Sequence, residues 1–118
     1  MNTLTEDTYP PKTVRVGPYQ VSVIVESSHW ANANQRFGEF SACEMCIRLQ
    51  PEFACVTKLV DTLLHEILHA IHWAYRIEDE DKEERIVSTT ATALTQVLLD
   101  NRELATWLSD LLYNNGED

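Results

Sequence analysis

Three of the four histidines in this chain, His65, His69 and His72, fall close together, and Glu66 follows the first of them directly. The stretch Thr62–Tyr75 reads TLLHEILHAIHWAY and contains an H-E-x-x-H at residues 65–69. On an α-helix, side chains four apart share a face, with Cβ atoms about 5–6 Å apart. Two imidazoles at that spacing can hold one divalent cation, and the intervening glutamate then stands beside the open coordination position. The chemistry this spacing points to is metal binding, with His65 and His69 as the candidate ligands and Glu66 leaning over the open position.

The segment that must carry these residues is a helix over Leu59–Arg76. With His65 at zero on a helical wheel, Leu59, Val60, Leu63, Leu64, Ile67, Ala70, Ile71 and Ala74 fill the far half. Lys58, Asp61, His65, His69, His72 and Arg76 cluster on the near side, flanked by Thr62, Leu68, Trp73 and Tyr75, with Glu66 at the border. A wide apolar stripe at the period of 3.6 marks a helix packed on a core. Neither Gly nor Pro interrupts it.

A hydrolytic zinc takes three protein ligands and keeps one position open. The nearest downstream carboxylates are Glu83 and Glu84, at the start of a second helix, where they also suit the positive end of the helix dipole. His72 lies on the same line as His65 and His69, but a third imidazole from one straight helix strains a tetrahedral arrangement, so it suits the cleft or the outer shell better. Asp61, one turn before His65, is placed to hold the free ring nitrogen of that histidine. Tyr75 joins His72 as a candidate for the cleft or the outer shell. His29 falls in a polar stretch with no tie to the motif.

The whole chain has 118 residues, enough for one domain over residues 1–118. Its net charge of −10 argues against a nucleic-acid partner, because an acidic surface repels phosphate. No apolar run is long enough to span a bilayer, and MNTLTEDTYPPKTV has no basic start or apolar core of an export signal. A cytoplasmic location without a membrane partner is expected. Cys43, Cys46 and Cys55 are then reduced thiols, and Cys43-Glu-Met-Cys46 reads as small apolar residues at a hairpin.

The surrounding elements follow from pattern. Residues 1–11 read as a flexible leader and 114–118 as a frayed tail. Gln20–Glu26 is a strand by its valines at alternate positions. Ser27–Gln35 reads as a loop, and Arg36–Ala42 with Met45–Gln50 as a hairpin. Pro51-Glu52 suits a helix first turn, so the central helix is expected to begin there. A second helix from Glu83 carries its apolar stripe on Ile86, Val87, Thr90, Ala91, Leu94, Val97 and Leu98. A third, short one covers Glu103–Tyr113. The expected fold class is α+β: a small, mostly antiparallel sheet followed by the H-E-x-x-H helix and two further helices.

Thr62-Leu-Leu-His-Glu-Ile-Leu-His-Ala-Ile, a short acidic link with Glu84-Arg-Ile-Val, and Leu94-Thr-Gln-Val-Leu-Leu-Asp-Asn together resemble the small phage and prophage metallopeptidase-like proteins, similar to the minimal zincin domains of the ImmA/IrrE type. Gly38-Glu-Phe before the hairpin and Ile47-Arg-Leu before the helix fit the same pattern, and the likeness runs from Val14 to Leu112. The resemblance implies a zinc metallopeptidase acting on a protein or peptide in a host cytoplasm, with His65, His69 and Glu84 as ligands and Glu66 as general base. It also implies that Met45–Gln50 offers an edge to an extended peptide. The link of 14 residues between His69 and Glu84 is shorter than in the relatives it resembles, which keeps Glu83 beside Glu84. Two other functions fit the same residues. One is a catalytically silent accessory protein that keeps the zincin shape and binds a partner protein, with zinc structural or absent. The other is an α+β interaction module without metal.

Overall fold

In the computed structural model of the protein, residues 2–115 are described. Valines at every second position build the sheet. In β3 (Tyr19–Val25) Val21 and Val23 turn inward while Ser22 and Ile24 face out. Val14 and Val16 do the same in β2 (Thr13–Val16), and Ile47 and Leu49 in β5 (Cys46–Leu49). β4 (Gly38–Ser41) completes a four-stranded sheet in the order β2-β3-β5-β4. One face is apolar and covered, the other polar, as alternation of period two requires.

The sheet is mixed: two of its three ladders are antiparallel, as expected, and one is parallel. The outer ladders, β2 with β3 and β5 with β4, are antiparallel, but the central pair β3 and β5 is parallel, with Val23 opposite Ile47 and Val25 opposite Leu49. A parallel pair needs a crossover, and the segment expected as a loop supplies part of it. Ser28–Asn34 forms helix α1, capped by the Ser27 hydroxyl, which accepts the Trp30 N–H at 3.2 Å.

The central helix, α2, spans Val56–Ala74. It starts later than Pro51 because Glu52–Phe53 forms strand β6, paired antiparallel with β1 (Asn2–Thr3). The described part of the expected leader, residues 2–11, is therefore tied to the rest of the chain. Pro10 and Pro11 are buried, and the Trp107 indole N–H donates to the Thr8 carbonyl at 3.0 Å. The apolar stripe of α2 lands on the sheet as the wheel requires: Leu59, Leu63, Ile67 and Ile71 are fully buried against the inward valines and Ile47. Beyond Ala74 the chain turns at Arg76, in the left-handed region at φ 56°, and the Ile77 N–H closes back on the His72 carbonyl at 2.9 Å.

Helix α3 spans Glu83–Asp100 and packs on α2 and β2. Its buried line runs through Ala93 and Val97 with Ile86 and Leu94 at its edges. Val87 and Leu98, expected in that stripe, are exposed, as is Ala91, because β2 and α2 meet a narrower face than the apolar residues cover. Gln96 and Asn101 bind α3 to β2: the Gly17 N–H donates to Gln96 Oε1 at 2.7 Å and the Arg15 N–H to Asn101 Oδ1 at 2.7 Å. Helix α4 (Arg102–Ser109) runs into a π-helical turn over Asp110–Asn115, and Leu104, Trp107 and Leu111 close the core. The frayed tail expected over 114–118 lies in part outside the described residues. No helix among the described residues is long and apolar enough to cross a membrane.

Candidate metal site and groove

The helical spacing does bring the two histidines together. His65 Nε2 and His69 Nε2 are 3.1 Å apart, with ring centroids 4.7 Å apart and the planes at 76°. Both rings are exposed on the α2 face that the sheet leaves open. Two nitrogens bound to one tetrahedral zinc at about 2.0–2.1 Å each stand about 3.3–3.4 Å apart. The observed separation is short of that by a few tenths of an ångström, within reach of a small ring rotation. In the absence of a cation, one Nε2 carries the hydrogen that the other accepts, and a cation would take the place of that hydrogen. The donor pair thus fits a divalent ion as a two-imidazole chelate.

Glu66 occupies a different environment from its neighbours. It is 6% exposed. The wheel placed it at the border of the polar face, and the strand β4 is what covers it. A Cβ on Gly38 would lie 3.3 Å from Glu66 Cγ and 3.1 Å from Thr62 Cγ2. The missing side chain lets the β4 backbone pass directly over this part of the helix. Burial pushes the Glu66 carboxyl above the usual carboxylate range, against the opposing pull of His65 and His69; Glu39 adds to the rise and Arg36 opposes it.

A groove runs along this boundary between α2 and the free edge of β4. Toward the C-terminal end of α2 it opens into a depression of about 500 Å³ with His65, Glu66 and His69 on one side, Gly38 and Phe40 on the other, and Trp73 at its end. Toward the N-terminal end it continues as a second depression of about 300 Å³ lined by Phe37, Lys58, Asp61, Thr62 and, again, His65 and Glu66. Arg36 borders both. Trp73 is held by Tyr19, at 4.8 Å between ring centroids, and by Phe40, at 5.9 Å.

The other sequence candidates fall out as follows. Asp61 is exposed and lines the same depression as His65. His72 is half-buried one turn beyond His69 and belongs to neither depression's walls. Tyr75 is not a cleft residue: its hydroxyl donates to Gln96 Oε1 at 3.4 Å and its ring lies against Gly17 in the β2–β3 turn. Glu83 and Glu84 stand exposed in the first turn of α3. Among the described residues no group of three or more His, Cys, Asp or Glu side chains is placed to hold a metal ion, so neither glutamate joins the pair here. His29 is exposed on α1.

The expected peptide-binding strand is corrected too. β5 is paired on both sides, by β3 and β4, and has no free edge. The open edge beside the histidines belongs to β4. Sequence reasoning gave Gly38, Lys58, Arg36 and Phe40 no role in the site, although they line it. Lys58 was visible on the polar side of the wheel, but nothing local marked it as facing a groove. Of the cysteines, Cys43 sits exposed in the β4–β5 turn, Cys46 is buried in β5 and Cys55 is exposed ahead of α2; all three are free.

No family model matches this chain, and neither a curated protein nor a solved structure matches it.

Proposed function

We propose that this protein is a zinc-dependent peptidase of the minimal zincin type. The observation that carries the reading is the pairing of His65 and His69 at 3.1 Å directly beside a buried Glu66, at the foot of an open strand edge. His65 and His69 would hold the cation through their Nε2 atoms. A zinc ion held there would supply a Lewis acid able to polarise a peptide carbonyl and to lower the pKa of a water. Glu66 would take the proton of the attacking water at its carboxylate and return it to the leaving amine. The free N–H and C=O groups of β4 hold an extended peptide by strand addition, and Gly38 keeps that strand close enough to shield Glu66 from water on its inner side. The third protein ligand of the reading remains Glu84 or Glu83, which α3 must bring toward the pair.

One observation favours a second reading. Among the described residues no third donor joins the two histidines. In that reading the chain is a catalytically silent accessory protein that keeps the zincin shape and engages a partner protein.

Zinc titration followed by metal analysis tests the first reading, together with hydrolysis of a fluorescently labelled unfolded protein. Wild type is expected to hold one zinc, His65→Ala and His69→Ala to lose it, and Glu66→Gln to keep it while losing hydrolysis. A wild-type protein that takes up no zinc overturns the proposal. Zinc retained without hydrolysis leaves the accessory reading.

A further inference from the structure

The groove is not alike at its two ends. At the N-terminal end of α2 stands Lys58, in a chain with only 9 Lys and Arg against 19 Asp and Glu. Among the described residues Lys58 makes no ion pair. Its ammonium instead lies 4.6 Å from the centre of the Phe37 ring, and its stem is half-buried. The aromatic face fixes the charge over the depression without neutralising it. Arg36, at the rim, is shared with Glu39 at 3.3 Å, and Glu39 also lies 3.5 Å from Arg48. Asp61 brings one exposed carboxylate to the same depression. Lys58 is therefore the cation left over for a ligand. At the opposite end Trp73 and Phe40 present aromatic surface, with Trp73 41% exposed.

The two ends are about 22 Å apart along the helix at 1.5 Å per residue, which an extended chain of about seven residues spans. His65 and Glu66 lie between them.

We propose that the groove selects an extended peptide with an acidic side chain over Lys58 and a large apolar side chain against Trp73, and that Lys58 is the residue that determines this charge preference. The inference rests on the groove being the peptide-binding face of the site proposed above. A carboxylate reaching Lys58 replaces the partner it lacks, whereas a basic side chain there meets a fixed like charge. The Trp73 ring, already held by Tyr19 and Phe40, buries apolar area without having to be ordered first.

The test uses zinc-free protein, so that it does not depend on turnover. Fluorescein-labelled heptapeptides on an alanine background carry glutamate near one end and phenylalanine near the other, in both chain directions, with the glutamate also changed to glutamine or lysine. Anisotropy at low ionic strength reads their affinity. Wild type is expected to bind the better-placed glutamate peptide about tenfold more tightly than its lysine counterpart, with the gap narrowing as salt screens it. Lys58→Glu is expected to reverse the order and Lys58→Gln to flatten it, each at an unchanged circular dichroism spectrum. Equal affinity for the glutamate and lysine peptides overturns the inference, as does an order unchanged in Lys58→Glu, or no binding of any peptide. A reversal in a protein that takes up no zinc keeps this inference and removes the peptidase. Zinc-dependent hydrolysis without charge preference does the opposite.

Discussion

Gly38 is the contact on which the geometry of Glu66 depends, and Gly38→Ala probes it directly. The new Cβ would stand 3.1 Å from the Arg48 carbonyl oxygen, 3.1 Å from Thr62 Cγ2 and 3.3 Å from Glu66 Cγ. Comfortable carbon contacts lie near 3.5–4.0 Å. The Arg48 carbonyl belongs to β5, which is laddered on both sides and does not yield. The Thr62 methyl cannot rotate away, because its hydroxyl donates to the Lys58 carbonyl at 2.8 Å and so sets the side-chain rotamer. Only the Glu66 methylene is free to turn. Overpacking of this kind costs about 1–3 kcal/mol. Alanine recovers about 0.4–1 kcal/mol by restricting the unfolded chain; with three close contacts the cost lies in the upper part of its range, so the expected net loss is about 1–2 kcal/mol. For a chain of this size that is roughly 3–10 °C in Tm. Thermal and urea unfolding of Gly38→Ala, Thr62→Ser and the double variant measure it. Thr62→Ser removes one of the three obstructing atoms, so the alanine should cost at least about 0.5 kcal/mol less in that background. A Gly38→Ala protein as stable as wild type would refute the claim that β4 rests on α2 at this point.

Two further outcomes follow from local features. Burial raises the Glu66 carboxyl in the folded protein, so the folded state holds that proton more tightly than the unfolded chain does. The associated stability is complete below the unfolded carboxylate value, about 4.3, and is lost as pH rises through the raised one. Metal-free Glu66→Gln should accordingly be more stable than wild type in urea at pH 7, with the advantage closing below about pH 4; an advantage that is the same at both pH values would contradict the burial argument. At the end of α2, Arg76 holds φ 56°, a conformation that suits glycine. Arg76→Gly is expected to gain about 0.5–1 kcal/mol, read as a higher Tm, and a lower one would show that the arginine side chain matters more than its backbone.

Much of this protein is written in short-range pattern. The 3.6-residue period between Leu59 and Ile71 is a property of the segment itself, and it located α2 and set His65 and His69 on one line before any partner was considered. The start of α3 at Glu83 and the alternating valines of β3 were legible for the same reason. What depends on distant partners was not. The pairing of β3 with β5 as parallel neighbours, the docking of Asn2–Thr3 on Glu52–Phe53 and the exposure of Val87 and Leu98 are decided by which surfaces meet, and a one-dimensional period carries no record of that. The candidate site divides along the same line. A helix places two imidazoles together by its own geometry. Only the passage of β4 over a missing Gly38 side chain buries Glu66, turns a helix face into a groove and sets Lys58 and Trp73 at its two ends.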